Sequence, residues 1–237
     1  MTHNAKYTVE NRNSFLSPVI VDMAVEQGGN CPLSEFGRTV EKHGVKIVGP
    51  ANLPAELTQK LLLDLESQTS IDQLSDYLLA SDTPLDGIIN ASGRVGFGTI
   101  AETSVENSHR LMQINHFGPA QTIARLLPQL AKSANEPFVL SITGVVAEKV
   151  FPGMSAYVTS KTAHSTWLKA LALEARRQKI RVIDARPGHT ETGLATRPLF
   201  GTAPAFAQGM APEHVVSVII TAIETGITDL PSDSFTA

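Results

Sequence analysis

The sequence predicts an α/β protein: a doubly wound parallel sheet with helices on both faces. Three observations carry that expectation. Short β-branched or leucine-rich runs recur and alternate with longer stretches of helical periodicity, the pattern of a parallel sheet covered by crossover helices. The runs are continuously apolar and do not alternate, as strands buried on both faces require. With 237 residues, 42% apolar and 18% charged, the chain has the make-up of an ordinary globular protein and not of a disordered or fibrous one.

Six runs read as strands: Pro18 to Val21, Val45 to Val48, Leu61 to Leu63, Gly87 to Ile89, Phe138 to Ile142 and Ile180 to Ile183. Between them Ser70 to Leu79, Val105 to Ala131 and Ser155 to Gln178 carry apolar residues at three- and four-residue spacing and read as helices. Pro128 is expected to kink or end the second of these. Only about a dozen residues, including Pro50 and Pro54, separate the second strand from the third, so a full crossover helix barely fits and the amino-terminal βαβ unit is atypical. Thr190 to Gln208 lacks clear periodicity, and a loop of that length in a compact domain reads as a functional lid. Its Leu194, Leu199, Phe200 and Phe206, with Met210, suit an apolar pocket or ordinary core equally. Residues 1–17 read as a polar tail and 18–237 as one domain.

Composition also removes function classes. Nineteen Lys and Arg against 23 Asp and Glu give a net charge of −4, so no basic stripe marks a nucleic-acid partner. A single cysteine, Cys31, excludes an internal disulfide and a multi-thiolate metal site. The first 17 residues lack an apolar leader segment and no apolar run approaches about 18 residues, so no membrane partner and a cytoplasmic location are expected.

The strongest chemical signal is Tyr157-Val158-Thr159-Ser160-Lys161 near the start of a helix. Positions four apart share a helix face, so phenol and ammonium point into the same space. A cation beside a phenol favours phenolate and draws its pKa from about 10 towards the range of a working acid or base. An exposed Tyr and Lys give the same spacing by chance, but further polar segments accompany this pair. Asn90, Ser141 to Gly144 and Arg186 to Gly188 all fall at carboxyl ends of predicted strands, where open α/β sheets bind ligands.

Together, Asn90-Ala91-Ser92-Gly93, Asn115, Tyr157-x-x-x-Lys161 and Pro187-Gly188 through Thr192 resemble, in order and spacing, the short-chain dehydrogenase/reductase family over about residues 58–230. The resemblance implies a Rossmann-like domain that binds NAD or NADP and moves a hydride between the nicotinamide and a carbonyl or secondary alcohol, in a homodimer or homotetramer. It implies that Asn90, Ala91, Ser92 and Gly93 form the turn beside the cofactor and that Asp64 and Leu65 meet its adenine. Asn115 then holds a proton-relay water, Tyr157 is the general acid/base, Lys161 binds the nicotinamide ribose, and Pro187, Gly188 and Thr192 grip the carboxamide side. The family's substrate-binding serine lies 13 residues before the tyrosine, where this chain has Gly144. Thr143, one residue earlier, is the expected substitute hydroxyl. A serine placed at 144 is expected to be tolerated unless the backbone there has a positive φ.

The amino-terminal region departs from that family. After Val19-Ile20-Val21 the chain lacks a Gly-x-x-x-Gly-x-Gly turn, and residues 18–56 instead resemble the nucleotide-binding domain of the NAD(P) transhydrogenase alpha subunit and alanine dehydrogenase. The chain therefore reads as a hybrid with a junction near Leu57. Both parent families bind NAD(P), and Gly49-Pro50-Ala51-Asn52 gives no sign of NAD or NADP preference. The alternative is a non-catalytic binding or scaffold protein that keeps the fold without the glycine-rich turn and the serine.

Overall fold

The computed structural model describes residues 20–22, 63–80 and 84–236. Within them the chain runs β1 (Ile20–Asp22), α1 (Gln68–Leu79), β2 (Gly87–Asn90), α2 (Val105–Met112), a π-helical turn (Gln113–Phe117), α3 (Gly118–Leu130), β3 (Phe138–Ile142), α4 (Ser155–Glu174), β4 (Arg181–Ala185), α5 (Pro212–Thr225) and β5 (Asp229–Leu230). The five strands form one sheet in the order β1-β2-β3-β4-β5, with every neighbouring pair parallel.

Adjacent residues of a strand point to opposite faces, and each central strand here spends an apolar residue on both. Ile88, Val139 and Val182 face α1, α3 and α4, packing with Ile71, Leu74, Ile123, Leu126 and Leu168. Their neighbours Ile89, Leu140 and Ile183 face α5, packing with Val215, Ile219 and Ala222 and with Phe235 near the chain's end. Helices thus cover both faces, as the continuous apolar runs require.

Several elements differ in detail from the sequence expectation. The first helix begins at Gln68, because the Ser67 hydroxyl accepts the Ser70 N–H and caps it. The stretch Val105 to Ala131 is broken by the π turn, and α3 runs through Pro128 to Leu130. The last helix of the expected set ends as α at Glu174 and continues as a 3₁₀ turn over Ala175–Gln178. The helix α5 and the strand β5 have no counterpart among the expected elements. Leu63 lies outside any strand; Leu61, Leu62, the run Val45 to Val48, the polar tail and the junction near Leu57 lie outside the described residues. No helix among the described residues is long and apolar enough to cross a membrane.

Candidate active site

The carboxyl ends of β2, β3 and β4 open onto the first turns of α4, and there the polar residues gather. Asn90 ends β2, is buried, and has both ends of its amide engaged. Its Nδ2 lies 3.3 Å from Ser141 Oγ and from His164 Nε2, while its Oδ1 accepts the Ser92 N–H at 3.2 Å and the Ser92 hydroxyl at 2.5 Å. The turn Asn90-Ala91-Ser92-Gly93 is thereby closed on itself and tied to β3 and α4.

Tyr157 and Lys161 sit one turn apart in α4, both buried. Lys161 Nζ donates to the carbonyls of Ser92 at 3.2 Å and Ile142 at 3.0 Å, bridging the turn after β2 to the end of β3. Burial draws its pKa down to about 8, against the opposing pull of the Asp184 charge. For Tyr157 the outcome is the reverse of the sequence expectation. Burial pushes its hydroxyl up to about 12, because removing a group from water penalises its charged form. The phenol is a proton-bearing acid and not a preformed phenolate.

Asn115 owes its place to the π turn. Gly118 N–H reaches back five residues to the Gln113 carbonyl, and Pro119 has no N–H to give the Asn115 carbonyl. Such insertions recur at functional sites. The Asn115 side chain is fully committed: Oδ1 accepts the Arg94 N–H, and Nδ2 donates to the Arg94 carbonyl and to Ser160 Oγ, each at 2.9 Å. It pins the residue after Gly93 to the helix that carries Tyr157.

The substitute hydroxyl expected at Thr143 is directed elsewhere. Thr143 Oγ1 donates to Asp184 Oδ1 at 2.5 Å. Asp184 Oδ2 also accepts from Ser165 Oγ at 2.6 Å and from Arg186 Nη1 at 2.9 Å. Arg186 completes the network with Glu148 and Asp229, both at 2.6 Å. Burial works to lower the pKa of its guanidinium, but its carboxylate partners raise it above the usual value. Gly144 follows with φ +81° and ψ 165°, a region essentially reserved for glycine. The conditional expectation that serine fits there therefore resolves against serine.

The remaining expected residues differ in exposure. Leu65 is buried, and its carbonyl accepts Gln113 Nε2 at 2.8 Å; Asp64 is exposed, and its Oδ1 accepts the Glu66 N–H at 2.9 Å. Pro187 is buried, Gly188 half-buried and Thr192 exposed. The stretch Thr190 to Gln208 contains no helix or strand, and Leu194, Leu199 and Phe200 pack with Val95, Phe97 and Tyr157. Met210 packs instead with the α5 cluster, and Phe206 stacks on His189 with ring centroids 4.9 Å apart.

Sequence reasoning misses His164, Ser160, Ser165 and Asp184 as members of the polar layer, whereas Arg186, expected at a strand's carboxyl end, is buried there and paired with Asp184. The signal for the first three lies in α4, where polar side chains occupy Ser160, Lys161, His164 and Ser165 on the buried face at the spacing normally reserved for core residues. His164 is fully buried, its Nδ1 has no partner among the described residues, and its ring stacks on Trp167 at 5.6 Å.

The chain matches the short chain dehydrogenase family over residues 40–198 and belongs to it. A relative from Xenopus tropicalis, dehydrogenase/reductase SDR family member 7B, is 26% identical over 170 residues, covering 69% of this chain and 55% of its own length. The chain spans about half the length of the curated relatives it matches. An NAD(P) transhydrogenase alpha subunit from Rhodospirillum rubrum is 67% identical over 39 residues, 16% of this chain and 10% of that protein, so the transhydrogenase-like segment is short. The solved structure of 3-ketoacyl-(acyl-carrier-protein) reductase from Brucella melitensis, complexed with NADH, shares the fold with a TM-score of 0.70 at 19% identity, covering 83% of this chain and 90% of that one.

Two outcomes test this geometry. Gly144→Ser is expected to lose about 1–3 kcal/mol of stability from backbone strain, read as a lower urea midpoint at unchanged slope. A neutral result would remove the strained turn from the account. Burial, with the Lys161 and His116 charges adding to it, draws His164 down to about 3, whereas an unfolded imidazole titrates near 6.5. The unfolded chain therefore binds more protons between those values, and stability is lost as pH falls through that window. Between pH 7 and 5.5 the contribution of His164 to this loss is expected to be about 1 kcal/mol. It should be missing from His164→Gln; equal losses in both proteins would contradict it.

Proposed function

We propose that the chain is an NAD(P)-dependent oxidoreductase that moves a hydride between the nicotinamide and a carbonyl or secondary alcohol. The observation that carries this reading is the placement of Tyr157 and Lys161 on α4 over the carboxyl ends of β2 and β3, with the Lys161 ammonium fixed by the Ser92 and Ile142 carbonyls.

The residues present fit a dinucleotide. Two of the three Lys161 N–H donors are used, leaving one for a ribose hydroxyl. At Gly93 an added Cβ would lie 3.0 Å from Lys161 Nζ and 3.4 Å from Asn115 Oδ1, so the missing side chain leaves a cradle beside that donor. The Asn90 to Gly93 turn would line the cofactor with Pro187, Gly188 and Thr192, and Asp64 and Leu65 would meet its adenine. The bound nicotinamide supplies or accepts the hydride. This chain supplies the proton: Tyr157 Oη, held protonated by burial, donates to the carbonyl oxygen as it gains charge, and recovers the proton when an alcohol is oxidised. Asn115 holds the Arg94 backbone and leaves its own carbonyl for a relay water. Gly144 offers no hydroxyl to the developing oxyanion; a donor of that kind is worth about 10²–10³ in rate, so slow turnover is expected.

A second reading, a dinucleotide-binding protein without turnover, is favoured by one observation: the Thr143 hydroxyl is bonded to Asp184 and Gly144 brings none. Fluorescence titration with NADH and NADPH, followed by carbonyl reduction assays, separates the readings. Micromolar binding with turnover that Tyr157→Phe abolishes and Lys161→Ala weakens, together with cofactor affinity, supports the enzyme. Binding without turnover supports the second reading, and turnover intact in Tyr157→Phe contradicts the assigned acid.

A homodimer or homotetramer accompanies this proposal. Phe117 at the end of the π turn is 52% exposed and Leu173 on α4 77%, and symmetric pairing covers such apolar surface at the least cost in new contacts. Light scattering is expected to return two or four times 25.4 kDa; a monomer at tens of micromolar would contradict it.

A further inference from the structure

Three guanidinium groups, those of Arg94, Arg110 and Arg197, lie within electrostatic reach of one another, and one carboxylate, Glu66, stands beside Arg94 and Arg110. Arg110 holds Glu66 in a two-point ion pair, Nε to Oε1 at 2.8 Å and Nη2 to Oε2 at 3.0 Å. Arg94 is half-buried, its Nε is sealed from solvent without a partner, and its guanidinium makes no hydrogen bond or ion pair among the described residues. Arg197 is exposed and leans on its own loop, with Nε 3.2 Å from the Gly193 carbonyl. Burial lowers the Arg94 pKa, the charges of Arg110 and Arg197 add to the shift, and Glu66 opposes it. A guanidinium stays protonated regardless, so Arg94 remains a cation whose buried Nε has no bonded partner among the described residues.

Backbone pairing brings the chain segments that carry two of these groups together. Leu199 N–H donates to the Val95 carbonyl at 2.7 Å and Phe97 N–H to the Phe200 carbonyl at 3.0 Å. This zips residues 95–97 to 199–200 and sets the segment carrying Arg197 beside the one carrying Arg94. Arg94 directly follows Gly93, and both its backbone groups are held by Asn115. Val95, next in sequence, packs in one cluster with Tyr157, Phe97, Leu194 and Phe200. Arg94 thus stands one residue from the cofactor cradle and next in sequence to the apolar cluster that includes the acid, an arrangement that suits a ligand with a charged end, an apolar body and a reacting oxygen.

We propose that Arg94 and Arg197 bind an anionic group, a carboxylate or phosphate, carried by the substrate whose carbonyl or hydroxyl meets Tyr157. The inference rests on the oxidoreductase reading of the cleft, and it places this chain's substrates among oxo or hydroxy acids and their phosphorylated counterparts. A planar guanidinium fork matches either anion in a bidentate contact. The same charge could come from a cofactor phosphate, and the test separates the two sources.

The experiment titrates the full chain, with and without NADPH or NADH, using acetoacetate and its neutral ethyl ester as matched probes, read by calorimetry. Acetoacetate is expected to bind about tenfold more tightly than the ester, with the advantage shrinking as salt rises from about 50 to about 500 mM. Arg94→Gln and Arg197→Gln should each reduce that preference several-fold while leaving ester and dinucleotide affinities unchanged. Equal affinity for both probes, or no binding of acetoacetate, overturns the proposal. Loss of NADPH or NADH affinity in Arg94→Gln with the probe preference intact assigns the charge to the cofactor and overturns it as well. If Arg94→Gln fails to fold, the exposed Arg197→Gln carries the test. Failure of the oxidoreductase reading shows separately, as absence of dinucleotide binding in the unaltered chain.

Discussion

A buried ammonium governs the arrangement of the site. Lys161 lies almost wholly out of water, and the cost of that is offset by the Ser92 and Ile142 carbonyls it bonds. Those carbonyls belong to the turn after β2 and to the end of β3, so satisfying the ammonium fixes how these two chain segments stand relative to α4. The Asn90 amide repeats the connection from below through Ser141 and His164. A parallel sheet buried on both faces provides the rigid base, since Ile88 and Ile89, Val139 and Leu140, and Val182 and Ile183 are each divided between two cores. On such a base a polar layer holds its geometry only if nearly every donor finds an acceptor.

The second polar layer explains why a neighbouring hydroxyl does not replace the family's serine. Asp184 collects Thr143, Ser165 and Arg186, and Arg186 extends the network to Glu148 and Asp229. Glu148 in turn accepts the Ser232 N–H at 3.1 Å and its hydroxyl at 2.7 Å, tying the carboxyl-terminal segment to the loop after Gly144. Releasing the Thr143 hydroxyl towards a substrate would leave a buried carboxylate one donor short, at a cost of about 1–3 kcal/mol. The turn is therefore held by charge pairs on one side and by the positive φ of Gly144 on the other.

What is legible in the sequence follows from which forces are local. Continuous apolar runs announce strands buried on both faces, and the Tyr157 to Lys161 spacing announces a shared helix face; the structure has both. The Val-Val-Ser-Val-Ile-Ile stretch of α5 is rich in β-branched residues that suit strand and helix alike, and β5 is two residues long, too short for any pattern. The direction of the Thr143 hydroxyl depends on Asp184, 41 residues away, and the backbone angle of Gly144 leaves no mark on residue type beyond glycine itself. The Tyr157 shift has the opposite sign to the one its sequence neighbours suggest, because its dominant cause is burial, a property of the assembled fold, whereas proximity to Lys161 is visible in five residues of sequence. Arg94 carries no local signal for the same reason, since its significance lies in the groups that surround it and not in its neighbours along the chain.

The central claim, that this polar edge is built around a nicotinamide dinucleotide, is tested most directly by a crystal structure of the chain grown with NADPH or NADH. The expected result is a dinucleotide whose nicotinamide ribose accepts a hydrogen bond from Lys161 Nζ and passes against Gly93, with Tyr157 facing the nicotinamide. A dinucleotide bound away from Lys161, or none at saturating concentration while the fold is intact, would contradict it.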